Sequence, residues 1–279
     1  NITKSILKNK NIEIIADDNT LINNDKLKEL VAKNISTLAK LGVKKKNNVA
    51  IVLSNSIDFV ACFLSVINVS VSAPLNPNYT EGEFDFYFND LKPKIMITNL
   101  ERDHPALKSA EKKNIRVIEI KNGILVEPIK RVKKNNVFAS YNDTALILHT
   151  SGTTSRPKMV PLTHKNMLAS SRNIIETLNL SKKDKNIILM PSFHIHGIVA
   201  SILAPLIADG KIVVLPSFNA LNFFKSVKTH SPTWFTGVPT MLQAILDRSS
   251  KNSDVLSSNS LRFIRSSSAS LPVSTLKKL

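Results

Sequence analysis

A chain of 279 residues, 43% of them hydrophobic, is long enough for one large α/β domain or two smaller ones with cores of their own. Its single cysteine, Cys62, lies in an apolar run, which excludes a disulfide framework, reads as a core residue rather than a nucleophile, and fits a reducing, cytoplasmic compartment. The formal charge of +17 is scattered through segments rich in Ile, Asn and Lys (8–11, 44–48, 133–136) instead of being interleaved with aromatics, which argues against nucleic-acid reading and leaves a field favourable to anionic substrates.

The predicted elements alternate. Residues 12–16 read as a strand, and from Asn24 apolar residues recur at three and four (Leu27, Leu30, Val31, Ile35, Leu38, Leu41), a helix closed by Gly42. A buried strand over 49–53 precedes a helix with Ser56 as its N-cap and Asp58 in its first turn. The stretch 73–75 is extended, and Thr80 with Glu83 has capping-box spacing for a helix to about Leu91. A strand over 94–98, a helix over 105–113 and a strand over 115–120 follow, then a charged surface segment, 126–143. The longest apolar stretch, 57–75, is broken by Asp58, Asn68 and Pro74 and falls short of a membrane span of ~18 clean residues.

The second half begins with an apolar strand at 145–148, a polar loop, and a helix capped by Thr163. Strands are expected at 186–190, 211–215, 233–236 and 261–265. Helices are expected from Gly197 to about Ala208, and over 218–228 and 239–246, with a polar loop at 249–260 and a last helix from Pro272. This alternation argues for an α/β fold of parallel-rich sheets covered by helices, divided into a first subdomain (1–143) and a second (144–279).

Three loops carry candidate chemistry. Thr150–Lys158, reading TSGTTSRPK, holds five hydroxyls (Thr150, Ser151, Thr153, Thr154, Ser155), Gly152, Arg156 and Lys158, a composition suited to phosphate. Pro157 before Lys158 and Met159 after it exclude a Walker loop, and an exposed Ser/Thr linker is the competing reading. The segment 190–197, MPSFHIHG, sets His194 and His196 on one face of an extended stretch. No third ligand lies nearby, so no metal site is assigned. Arg265–Leu271, RSSSASL, is a loop of small residues, and TWFTGVPT at 233–240 places the lone Trp234 and Gly237 at a strand-to-helix turn.

TSGTTSRPK, continued by Val160–Thr163, resembles the phosphate loop of the adenylate-forming superfamily, which includes acyl-CoA synthetases, luciferases and peptide-synthetase adenylation domains. Ser155 replaces a usual Gly, and Ser155-Arg156 is similar to the oxalate–CoA ligase branch, as are Pro74–Pro77 and Glu83–Tyr87. The resemblance implies the amino-terminal subdomains of that fold, with the carboxyl-terminal lid absent. It also implies carboxylate adenylation by ATP with Mg²⁺, followed by thioester formation with coenzyme A. The acid would be oxalate or another short acid, with medium-chain and aryl acids as alternatives. It places Ser151, Thr153, Thr154 and Lys158 on the phosphates of ATP, His194 on the substrate carboxylate or on the charge forming at phosphorus, and Ser266, Ser267, Ser268, Ala269 and Ser270 at adenine. Around the acyl and CoA channel it places His196, Trp234, Gly237 and Ser268. A non-catalytic nucleotide-binding module is the rival reading. Asn1 as first residue and Leu279 inside an expected helix read as a fragment.

Overall fold

Short β-branched runs and periodic helices alternate along the chain, and the computed structural model, which describes residues 1–126, 138–150, 157–258 and 260–279, gathers them into two sheets. The strands are β1 (Glu13–Ala16), β2 (Leu21–Asn23), β3 (Asn48–Val52), β4 (Val71–Pro74), β5 (Ile95–Thr98), β6 (Arg116–Lys121), β7 (Ile124–Val126), β8 (Thr144–Thr150), β9 (Lys158–Thr163), β10 (Lys185–Ile188), β11 (Lys211–Val214), β12 (Trp234–Gly237) and β13 (Phe263–Ser266).

The chain divides into two compact units, one formed by 1–8 and 24–170, the other by 9–23 and 171–279. The first carries a seven-stranded sheet in the order β7-β6-β5-β3-β4-β8-β9, parallel except at its two edge pairs. The division expected after Asp143 falls inside this unit, because β8 pairs with β4 and carries β9 along its outer side. The second carries a six-stranded sheet, β13-β12-β10-β11-β1-β2, parallel up to the antiparallel β1–β2 pair.

Local signals set most boundaries. The Thr80 hydroxyl accepts from Glu83 N while a Glu83 carboxylate oxygen accepts from Thr80 N, closing the expected capping box of the helix Glu81–Leu91. Ser56 Oγ accepts from Phe59 N at 3.1 Å and opens the helix Ile57–Val69. That helix is buried from Phe59 to Val69, which is why its apolar residues show no single stripe. Cys62 lies at its centre, and burial pushes its thiol up, away from nucleophilic use. Gly42 adopts φ +71°, the left-handed geometry that a helix terminator takes without a side-chain clash.

The core of the first unit packs Ala50, Val52 and Met96 of the sheet against Phe84 and Phe88 of the capped helix. In the second, Ile187, Val213 and Phe235 pack against Phe223, Phe224 and Leu242. Each of these side chains except that of Ala50 contributes about 1.5–3 kcal/mol when withdrawn from water.

Two expected elements differ. The loop after β8 leads not into a helix but into β9, which runs antiparallel to β8 before the helix His164–Leu178 begins. Val160 and Leu162, two apart and both partly buried, suit one face of a strand, and Pro161 is tolerated because β9 is the sheet edge. Thr163 caps the helix as expected, through reciprocal bonds with Asn166. The expected polar loop at 249–260 contains a 3₁₀ turn, Ser249–Asn252, and a short helix, Ser253–Ser258, which buries Val255. Part of the expected charged segment, residues 127–137, lies outside the described residues.

Candidate functional site

In the first unit the candidate phosphate loop lies in sequence between two antiparallel strands, β8 and β9. Thr150 and Lys158 are opposite one another in the β8–β9 register, and both are exposed. Lys158 therefore heads a strand, paired antiparallel with β8, rather than leading directly into the expected helix. Ser151, Gly152, Thr153, Thr154, Ser155 and Arg156 lie outside the described residues. The strand pair is anchored by His149, whose side chain is 5% exposed. Its Nε2 meets Asp90 Oδ2 at 2.7 Å, and its ring packs edge-on against Tyr87 with centroids 4.8 Å apart. Tyr87 in turn stacks on Tyr79. The end of β8 is thus fixed by a side-chain hydrogen bond and an edge-on aromatic contact.

In the second unit the site grows from parallel register. Ile188 of β10, Thr236 of β12 and Arg265 of β13 are side by side, so the carboxyl ends of three strands converge at one level of the sheet, where α/β ligand sites form. Beyond β10 the chain turns tightly at Pro191–His194 and enters a π-helical stretch, His196–Leu203. Gly197 is required at this turn. A Cβ there would lie 2.1 Å from the Pro191 carbonyl oxygen.

His196 is enclosed at 8% exposure. Its Nε2 is 2.7 Å from Thr236 Oγ1 and its Nδ1 is 3.0 Å from Ser268 Oγ. Arg265 Nη1 donates to Thr236 Oγ1 at 3.0 Å and approaches His196 Nε2 at 3.2 Å. Burial, then the positive charge of Arg265, then His194, lower the imidazole pKa to about 4, so His196 is neutral at physiological pH. Arg265 is half-buried, and among the described residues no carboxylate pairs with it. His194 is exposed beside Phe193, and partial desolvation holds its pKa below the usual imidazole value.

The loop after β13 holds the remaining candidates. Ser267 N donates to Gly237 O at 3.1 Å, tying this loop to the end of β12. Ser268, Ala269 and Ser270 are exposed, and Ser268 adopts φ +73°. Ser266 Oγ is buried and has no hydrogen-bond partner among the described residues. Trp234, expected at the pocket, is in the core at 0% exposure, stacked on Phe263 and packed with Leu180 and Ala204. Gly237 sits at the strand end with room for a Cβ.

The structure brings His196, Ser268 and Gly237 to one end of the second sheet, with His194 two residues from His196. Sequence reasoning missed Arg265 and Thr236. The signal was a charged residue near the carboxyl end of β13, beside the small-residue loop. Among the described residues no cluster of His, Cys, Asp and Glu forms a metal site, and no helix is long and apolar enough to cross a membrane.

Comparison with known proteins identifies the family and the fold. The family model for AMP-binding enzymes matches residues 4–279. An oxalate–CoA ligase from Arabidopsis thaliana is 38% identical over 272 residues, 91% of this chain and 52% of the relative. An oxalate–CoA ligase from Saccharomyces cerevisiae is 33% identical, covering 85% of this chain and 49% of its own. The chain spans about half the length of these curated relatives. The ATP-bound structure of MatB from Rhodopseudomonas palustris shares the fold, with a TM-score of 0.86 at 22% identity over 100% of this chain and 56% of that one.

Proposed function

Because the chain belongs to the AMP-binding enzyme family, we propose that it is part of an ATP-dependent acid–CoA ligase acting on oxalate or another short acid. The observation that carries this reading is 38% identity to an oxalate–CoA ligase across 91% of the chain. In the first half-reaction a carboxylate oxygen attacks the α-phosphorus of ATP, the bond to the β,γ-phosphates breaks, and pyrophosphate leaves with the bonding electrons. In the second, the coenzyme A thiol displaces AMP from the acyl-adenylate, giving the thioester.

In this reading Lys158 and the hydroxyls from Thr150 to Ser155 hold the departing phosphates, where charge accumulates in the transition state. The β8–β9 pair, pinned by His149 and Asp90, supports Lys158 in that task by fixing its strand. Ser266–Ser270 provide small side chains against which adenine lies flat, and exposed His194 orients the incoming carboxylate. Coenzyme A and Mg²⁺ complete the set of small molecules. The described residues offer no ligand cluster for the metal, and no step is assigned to it.

Pyrophosphate exchange by the full-length enzyme against a panel of acids tests the reading, with strongest exchange expected for oxalate. Lys158→Ala is expected to lower exchange roughly 100-fold or more. No stimulation by any acid, or full exchange in the Lys158→Ala enzyme, overturns it.

A further inference from the structure

The sheet of the second unit carries a charged cleft at the end opposite its candidate site. Glu13, Lys211 and Lys185 stand side by side in the register of β1, β11 and β10, where these three parallel strands begin. Glu13 and Lys211, with the segments that lead into the strands, 10–12 and 182–183, line an open pocket of about 370 Å³. Three stretches far apart in sequence thus bring Lys10, Lys182, Lys183 and Lys211 to one concavity, with Glu13 as the only carboxylate among its lining residues.

That carboxylate is already paired, with Lys211 Nζ at 2.8 Å. Two carboxylates of the adjoining turns are committed as well. Asp209 accepts from the backbone N–H groups of Lys10 and Asn11 at 3.0 and 2.8 Å. Asp184, at 5% exposure, accepts from Ser181 N at 2.8 Å and from Arg262 Nη2 at 3.0 Å. Lys10, Lys182 and Lys183 are exposed and have no carboxylate partner among the described residues. Other exposed lysines do have one: Lys26 and Lys33 meet Glu29, and Lys228 meets Asp254.

The backbone under these lysines is packed. Lys211 N donates to Asp184 O at 2.9 Å, and a Cβ on Gly210 would lie 2.9 Å from that same oxygen, so the turn before β11 and the turn before β10 touch backbone to backbone. Asn9 Nδ2 donates to Leu206 O at 2.7 Å and fixes the segment that carries Lys10. The positive field extends to Lys185, beside Lys211 in the register, whose ammonium is disfavoured first by burial and then by Lys211.

We propose that this pocket binds a compact oligophosphate anion, which bridges Lys10 to Lys182 and Lys183 and ties the 9–23 segment to the rest of its unit. Converging ammonium groups that lack acids of their own call for a ligand with several negative charges, and phosphate oxygens accept from lysine as from a point charge. Among the described residues no aromatic side chain lines the pocket, and its one aliphatic side chain, Ile12, is 1% exposed. Nothing there stacks a base, so the phosphates and not a nucleoside are what the pocket recognises. The inference goes beyond the ligase reading and does not depend on it.

The test is isothermal titration of the full-length enzyme with inorganic tripolyphosphate, for the wild type, a Lys10→Gln/Lys182→Gln/Lys183→Gln variant, the corresponding triple arginine variant and Lys158→Ala. Each exposed charge pair is worth roughly two- to fivefold in affinity, so the glutamine variant is expected to bind at this pocket about 10- to 100-fold more weakly. The arginine variant keeps the charge and is expected to stay within about threefold of the wild type. Lys158→Ala is expected to leave this binding event in place, which separates it from the candidate phosphate loop, and in that variant the anion is expected to slow hydrogen exchange over β1 and β11. Flotation with phosphatidylcholine vesicles carrying phosphatidylinositol bisphosphate tells a lipid headgroup from the free anion: vesicle binding that the glutamine variant loses assigns the headgroup, and no vesicle binding assigns the free anion.

Unchanged tripolyphosphate affinity in the glutamine variant, or an equal loss in the arginine variant, overturns the inference. Acid-dependent pyrophosphate exchange by the glutamine variant is expected to stay within about threefold of the wild type, since none of the three lysines belongs to the candidate site. That assay therefore tests the ligase reading separately.

Discussion

At the scale of single residues, the chemistry of His196 sets how this protein answers acid. Its folded-state pKa of about 4 lies below the 6.5 of a free imidazole, chiefly because the ring is buried. The unfolded chain therefore takes up a proton as pH falls through 6.5, and the folded chain does not until about 4. Stability contributed by neutral His196 is complete above pH 6.5 and is lost progressively below it, at up to ~1.4 kcal/mol per pH unit. His164 in the first unit behaves alike, its pKa also lowered to about 4, mainly by burial. Urea unfolding followed from pH 6.5 down to 4 is expected to show this slope, and His196→Gln is expected to remove only its own share. An unchanged slope in that variant would mean that His196 is already charged in the folded state.

At the scale of elements, the π-helical stretch His196–Leu203 depends on the turn that feeds it. Pro191 and Gly197 approach so closely that the glycine has no substitute, and His194 and His196 both hang on that approach. Gly197→Ala is expected to destabilise the second unit by about 2–3 kcal/mol, as for other overpacked interior sites. It is also expected to raise the KM for the acid, because both imidazoles shift. Thermal unfolding and exchange kinetics measure the two effects, and an alanine variant with the parent's melting temperature would show that the turn yields freely.

Elements of this kind also show what the sequence made legible. The caps at Ser56, Thr80 and Thr163 and the terminator at Gly42 were readable because each is local, made within three or four residues. The strand at β9 was not, since Lys158–Thr163 becomes a strand only by pairing with β8, and nothing within the segment declares that partner. The same limit hid Arg265. Its meaning lies in Thr236, 29 positions away, and His196, 69 positions away, which only the parallel register of β12 and β13 brings together. Trp234 reads as a core residue from its type, and only the family resemblance sets it at the acyl channel; the structure buries it fully at the start of β12.

At the scale of the whole molecule, the two units exchange chain. Residues 9–23 leave the first unit's sequence to complete the second unit's sheet, with β1 pairing in parallel with β11 along four residues. The Asp209 carboxylate holds this insertion, accepting from the backbone N–H of Lys10 and of Asn11 at 3.0 and 2.8 Å. Replacing residues 9–23 with a flexible linker is expected to uncover the β11 edge, an open template for association with other chains. Hydrogen exchange is expected to quicken over β11 and β10 while β3 and β5 stay protected. Equal loss of protection in both sheets would show that the two units do not fold separately.

That exchange of chain also imposes an order in time. Lys10 and the Asp209 that receives it are 199 positions apart. A ribosome adding ~5–20 residues per second makes the first of them on the order of 10–40 s before the second. Through that interval β1 has no β11 to join, while residues 24–170, which belong to the other unit, emerge. The β1–β2 hairpin is thus synthesised well before the strand it joins and is seated only once β11 has emerged. Its brevity and its flanking charges, Lys8, Lys10, Asp17 and Asp18, keep it from pairing with the wrong edge while it waits.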